Sequence, residues 1–71
     1  MLRLSARNQF PGVITGIRKG VTTTHVTIEV APSVIVTAAI TNESAEELGL
    51  AIGGQAVAVI KASDVMVGTQ A

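Results

Sequence analysis

Apolar and polar residues alternate with a period of two along most of this chain, which predicts strands. Leu2, Leu4 and Ala6 alternate with Arg3, Ser5 and Arg7, so a first strand is expected over residues 2–7. Phe10-Pro11-Gly12 reads as a break. Residues 13–18 follow as a second strand, with Val13, Thr15 and Ile17 on one side, and Lys19-Gly20 as a turn. Residues 22–31 are rich in β-branched side chains, with Val26, Ile28 and Val30 on one face and His25, Thr27 and Glu29 on the other. Pro32-Ser33 predicts the next turn. Residues 34–40 are apolar on both faces, the signature of a strand covered on both sides.

The pattern then changes. Residues 41–49 predict a short helix, with Asn42 or Ser44 as cap, Ser44 and Glu47 at capping-box spacing, and Gly49 as the terminating residue. Glu43, Glu46 and Glu47 sit near its amino end, where the helix dipole favours them, and this reading outweighs a metal site. Gly53-Gly54 is a turn, and residues 55–61 a strand with Val57, Val59 and Lys61 on one face. Residues 65–67 predict a last short strand with Met66 in the core, and residues 69–71 a frayed end. About five strands and one short helix in this order predict an all-β domain with a five-stranded barrel of the oligonucleotide/oligosaccharide-binding (OB) type. An SH3-like barrel is the competing architecture.

Composition adds constraints. The chain has 71 residues, which bounds it at one domain, 1–71. Hydrophobic residues make up 48% of it, but Phe10 is the single aromatic, so the core is aliphatic. A chain this short buries too small a share of its surface to be comfortably stable alone. It has no cysteine and one histidine, so disulfides, thiolate metal sites and a cysteine-based triad are excluded. Association remains as the stabilising device, and the second apolar face of residues 34–40 is its expected seat. A net charge of zero argues against nucleic-acid binding by counterion release, and one aromatic provides no stacking platform. No apolar run approaches the roughly 20 residues of a membrane span. The start, Met1-Leu-Arg-Leu-Ser, does not read as a signal peptide, and the missing cysteines fit a cytoplasmic setting.

Two cations stand out. Arg7 lies in Ser5-Ala6-Arg7-Asn8-Gln9 and Lys61 in Lys61-Ala62-Ser63. Each has a serine two residues away, which on a strand puts charge and hydroxyl on one face. Guanidinium, ammonium, hydroxyl and backbone N–H groups all donate hydrogen bonds. Such a site suits a fully deprotonated tetrahedral oxyanion, whereas a protonated phosphate would find no acceptor for its proton. Sulfate and molybdate both pass this test, and only cavity size separates them. The competing reading makes Arg7 and Lys61 ordinary solvated charges. His25 reads as an exposed histidine on a threonine-rich face, and Thr22-Thr23-Thr24 as a strand former whose hydroxyls, following Gly20, could line a second polar site.

Ser5-Ala6-Arg7-Asn8-Gln9, then Ile40-Thr41-Asn42-Glu43-Ser44 with Leu48-Gly49-Leu50, then Val59-Ile60-Lys61-Ala62-Ser63-Asp64-Val65-Met66 closely resemble the molbindins. These are small molybdenum-pterin-binding (Mop) proteins, stand-alone members of the TOBE-like oxyanion-binding domains. The resemblance spans essentially the whole chain. It implies a five-stranded OB-type barrel, a hexamer built as a trimer of dimers, and molybdate, with tungstate, bound between subunits for intracellular molybdenum storage and homeostasis. The oxyanion, not a pterin, is the implied ligand, and no catalysis is implied. Ser5, Ala6, Arg7 and Asn8 match the family's amino-terminal motif, and Lys61, Ala62 and Ser63 its carboxy-proximal one. Arg7 and Lys61 would supply charge, Ser5 and Ser63 hydroxyls, and Ala6 or Ala62 backbone N–H groups, with the two motifs coming from different chains. A second class of site near the symmetry axis falls at Gly20, Val21, Thr22 and Thr23. The stretch Val21-Thr22-Thr23-Thr24-His25 does not match the family's pattern closely. The alternative function is an oxyanion-sensing regulatory or interaction module that acts through a partner protein.

Overall fold

In the computed structural model, which describes residues 3–70, the elements run β1 (Asn8–Lys19), β2 (Thr23–Ala31), β3 (Val34–Thr41), α1 (Asn42–Leu48), β4 (Gln55–Ile60) and a 3-10 turn (Ala62–Asp64). All pairings are antiparallel, and the sheet order is β3-β2-β1-β4. The sheet curls into a half-barrel. Its inner face holds Ile14, Val26, Ile28 and Ala58, with Ile17, Val30, Val36, Ile40, Leu50 and Ala56 packed against them. Among the described residues, no helix is long and apolar enough to cross a membrane.

The chain is mostly β with one short helix, as the alternation predicts, but four strands form an open half-barrel in place of the closed five-stranded barrel. Two segments expected as strands do not form them. Residues 3–7 are not a strand; Leu2 lies outside the described residues. Residues 65–67 are irregular and Met66 is 94% exposed, so it is not a core residue. Strand preference is a preference for a half-buried pleated surface, and among the described residues no strand pairs with residues 65–67. The frayed end expected over residues 69–71 is irregular at 69 and 70, and Ala71 lies outside the described residues.

Phe10-Pro11-Gly12 does not break the chain, for β1 runs straight through it. Residues 8–13 of β1 pair with β4, and pairing with β2 begins only at Val13. Pro11 therefore lies where β1 has a neighbour on one side only, and a missing N–H is tolerated there. Gly12 is required by close approach. A Cβ on it would lie 2.8 Å from Ile28 Cγ2 and against the Glu29 carbonyl oxygen.

A β-bulge between Ile14 and Gly16 resets the faces of β1. Ile14 pairs with Ile28 and Gly16 with Thr27, so Thr15 is the extra residue. Ile14 and Ile17 thus both face inward, and the side expected from Val13, Thr15 and Ile17 does not exist; Val13 is 42% exposed. The backbone of Ile14 is also tied to the loop before β4, donating to Gly54 O at 2.9 Å and accepting from Gly53 N at 2.8 Å.

Local signals placed the remaining elements well. Pro32-Ser33 closes the β2–β3 hairpin with Ser33 at φ 62°, matching a turn with proline second and a left-handed third residue. Gly49 ends α1 at φ 63°, with its N–H on Glu46 O and that of Leu50 on Ala45 O, a Schellman closure. The amino-terminal cap is Thr41, not Asn42 or Ser44. Its Oγ1 accepts from Ser44 N at 3.1 Å. Asn42 is engaged elsewhere.

Candidate oxyanion sites

The β1–β4 ladder brings the two cation motifs together at one end of the sheet. Asn8 lies opposite Ile60 in register, and its Nδ2 donates to the Ile60 carbonyl at 3.2 Å. Ser5, Ala6 and Arg7 therefore lead into the ladder where Lys61, Ala62 and Ser63 leave it. Asn8 fastens the two segments, and its amide is used for that. The 3-10 turn after β4 is closed by Asp64 N on Lys61 O at 2.9 Å and Val65 N on Ala62 O at 3.3 Å. The N–H groups of Ala62 and Ser63 open this turn, where no partner exists within it. Ser5, Arg7, Lys61 and Ser63 are all exposed and Ala6 is half-buried. Among the described residues, neither Arg7 nor Lys61 makes a salt bridge; the ion pair present is Lys19–Glu46 at 3.3 Å. Two cations without carboxylate partners among the described residues, each with a serine two positions away, leave this end of the ladder rich in donors.

Gln9 is a neighbour that sequence reasoning passed over. Its Nε2 donates to the Ala6 carbonyl at 3.4 Å, which holds the segment before β1. Its Oε1 is buried with no hydrogen-bond partner among the described residues. The residue sits within the Ser5–Gln9 motif, but nothing in its spacing signals this positioning role.

Gly20, Val21, Thr22 and Thr23 form the β1–β2 turn, closed by Gly20 N on Thr23 O at 2.8 Å. Asn42 organises it from across the fold. Its Nδ2 donates to the carbonyls of Gly20 and Val21, both at 3.0 Å, and its backbone N–H to that of Thr22 at 3.0 Å. Its Oδ1 accepts from the buried Thr24 hydroxyl at 2.5 Å. Three carbonyls that would repel an anion are therefore turned toward Asn42. The turn borders an open depression of about 350 Å³ lined by Arg18, Lys19, Gly20, Val21, Thr22, Thr23 and His25. The turn brings its four predicted residues together and adds two cations and an imidazole. Asn42 reads as a cap in sequence, and only the tertiary contact reveals this second task.

Another depression, about 410 Å³, lies at the opposite end of the β1–β4 ladder and is lined by Pro11, Gly12, Val13, Gln55, Ala56 and Val57. It holds no charged group, so it offers an anion nothing to offset desolvation.

Comparison with known proteins gives the same direction. Residues 4–67 match the TOBE domain family. The chain is 44% identical over 66 residues to molybdenum-pterin-binding protein 1 of Clostridium pasteurianum, covering 93% of this chain and 97% of that one. It is also 44% identical over 69 residues to the molybdenum transport protein ModE of Azotobacter vinelandii, covering 97% of this chain but 26% of ModE. Among solved structures, the cytoplasmic molybdate-binding protein ModG with molybdate bound superposes with a TM-score of 0.92 at 40% identity, over 97% of this chain and 49% of ModG. Fold, motif order and near full-length identity agree, and the chain belongs to the TOBE domain family, among the Mop molybdenum-pterin-binding proteins.

Proposed function

We propose that this chain is a non-enzymatic, cytoplasmic oxyanion-binding protein that takes up molybdate, and tungstate alongside it, for intracellular molybdenum storage and homeostasis. The observation that carries the reading is the convergence of Ser5-Ala6-Arg7 and Lys61-Ala62-Ser63 at one end of the β1–β4 ladder, with both cations unpaired among the described residues. The ligand is held between copies of the chain, with the Ser/Arg motif of one facing the Lys/Ser motif of another. Gly20, Val21, Thr22 and Thr23 form a second class of site. The assembly is a hexamer arranged as a trimer of dimers. The shallow core supports association, since among the described residues Ile14, Val26, Ile28, Ala58 and Thr24 are the buried ones while Val34, Ile35 and Val59 stay 41–51% exposed. The likeness to ModG, described as cytoplasmic and molybdate-binding, supports both ligand and location.

The test is calorimetric titration with molybdate, tungstate, sulfate and phosphate. Micromolar or tighter binding of the first two, with no response to phosphate, is expected. Phosphate binding as tightly as molybdate would defeat the argument from donor-only chemistry. A second reading, an oxyanion-sensing module that works through a partner, is favoured by the match to about a quarter of ModE. A pull-down with and without molybdate separates it, because only a sensor captures a partner in a molybdate-dependent way.

A further inference from the structure

The β1–β2 turn site contains a group that storage alone does not call for. Arg18 and His25 are cross-strand partners in the β1–β2 register, so their side chains stand together on the outer face of the sheet. Both are exposed, and both line the 350 Å³ depression over Gly20, Val21, Thr22 and Thr23. They also line a neighbouring depression of about 320 Å³ with Gly16, Thr27 and Thr37. The pair therefore forms the wall shared by two hollows whose other polar lining is hydroxyl-rich.

We propose that His25 makes oxyanion binding at the turn site pH-dependent: its imidazolium, beside Arg18, adds a second charge-assisted donor to the bound dianion, and its neutral form does not. The inference rests on the reading of the chain as an oxyanion binder and names the regulation of its second class of site.

The surroundings favour this arrangement. From β1 the facing charge is Arg18, a permanent cation. From β3 the facing residue is Ala39, which carries no charge. Lys19 lines the same depression, but its ammonium is paired with Glu46 of α1 at 3.3 Å. On β2 itself the one carboxylate of that face is Glu29, four residues away, and it accepts from Ser33 N at 3.4 Å. Hence, among the described residues, no carboxylate pairs with His25 to satisfy an imidazolium, and an arriving dianion is the group that would do so. Imidazole is also the side chain whose ordinary charge change falls within the physiological range. The sign follows by linkage. A ligand that prefers the protonated form raises the imidazole pKa when bound, and its affinity falls as pH rises through that value.

Because His25 is the only histidine of the chain, its ring resonances are unambiguous by NMR. The full-length protein is titrated from about pH 5.5 to about pH 8.5 with and without saturating molybdate. The expected result is that molybdate changes the pH dependence of the His25 ring resonances, matched by an affinity at the turn site several-fold higher at pH 6 than at pH 8. In His25→Gln the turn-site affinity should be nearly flat with pH and resemble the high-pH value of the parent. Arg18→Gln should weaken the turn site at every pH while keeping the slope. An unchanged His25 titration with molybdate demonstrably bound would overturn the proposal and leave the oxyanion reading standing. No molybdate uptake at any pH would overturn both.

Discussion

Arg7→Ala and Lys61→Ala are each expected to weaken molybdate binding at the ladder-end site by about 10- to 150-fold, the loss of one charge-assisted donor. The fold should survive both changes. Arg7 and Lys61 are exposed, outside the regular strands, and without salt bridges among the described residues, so their removal strips no packing from the half-barrel. Calorimetry on both variants, with circular dichroism as the folding control, makes the measurement. Binding left unchanged in both would show that the site is elsewhere. If the two motifs belong to different copies, mixing the two variants offers a sharper form of the test. Mixed assemblies then contain some sites with both cations intact, and partial binding returns. A site built from one chain's own motifs would stay impaired in every combination.

Ile14→Ala is expected to cost about 2–5 kcal/mol of stability, read as a lower denaturation midpoint in urea or on heating. Ile14 is 1% exposed and sits at the centre of the inner face beside Val26, Ile28 and Ala58. The bulge at Thr15 lets it share the inner face with Ile17, and its backbone is gripped by Gly53 and Gly54. Relaxation into the cavity is therefore limited. In a core with so few buried residues, one deletion removes a large share of the packing. Because assembly adds to apparent stability by mass action, parent and variant must be compared at equal concentration. A loss below about 1 kcal/mol would mean that the half-barrel interior is not the stabilising core.

How far the sequence reveals this molecule depends on the range of the interaction that decides each feature. Gly49 and the Pro32-Ser33 turn were legible because a left-handed residue and a fixed proline φ are local requirements. The limits of β2 and β3 were legible for the same reason. The bulge was not, since Thr15 is surplus only relative to the partner strand and nothing in its own neighbours says so. Pro11 misled because proline reads as a break unless the missing strand neighbour is known. Residues 65–67 carry strand-forming side chains, yet a strand needs an edge to join. For the candidate sites, spacing and family resemblance singled out Ser5, Arg7, Lys61 and Ser63. Their convergence comes from the ladder that sets Asn8 opposite Ile60 across 52 positions of sequence. Asn42 and Gln9 hold the site segments through contacts that no spacing rule encodes.

If a proton-free dianion is enclosed by cation–hydroxyl pairs from neighbouring copies of the chain, uptake requires assembly. Native mass spectrometry of the full chain with added molybdate tests it most directly, because one spectrum reports subunit number and ligand number together. Six-subunit assemblies that carry molybdate are expected, with no molybdate on any single subunit. A lone, folded subunit that retains molybdate at the same stoichiometry would contradict it.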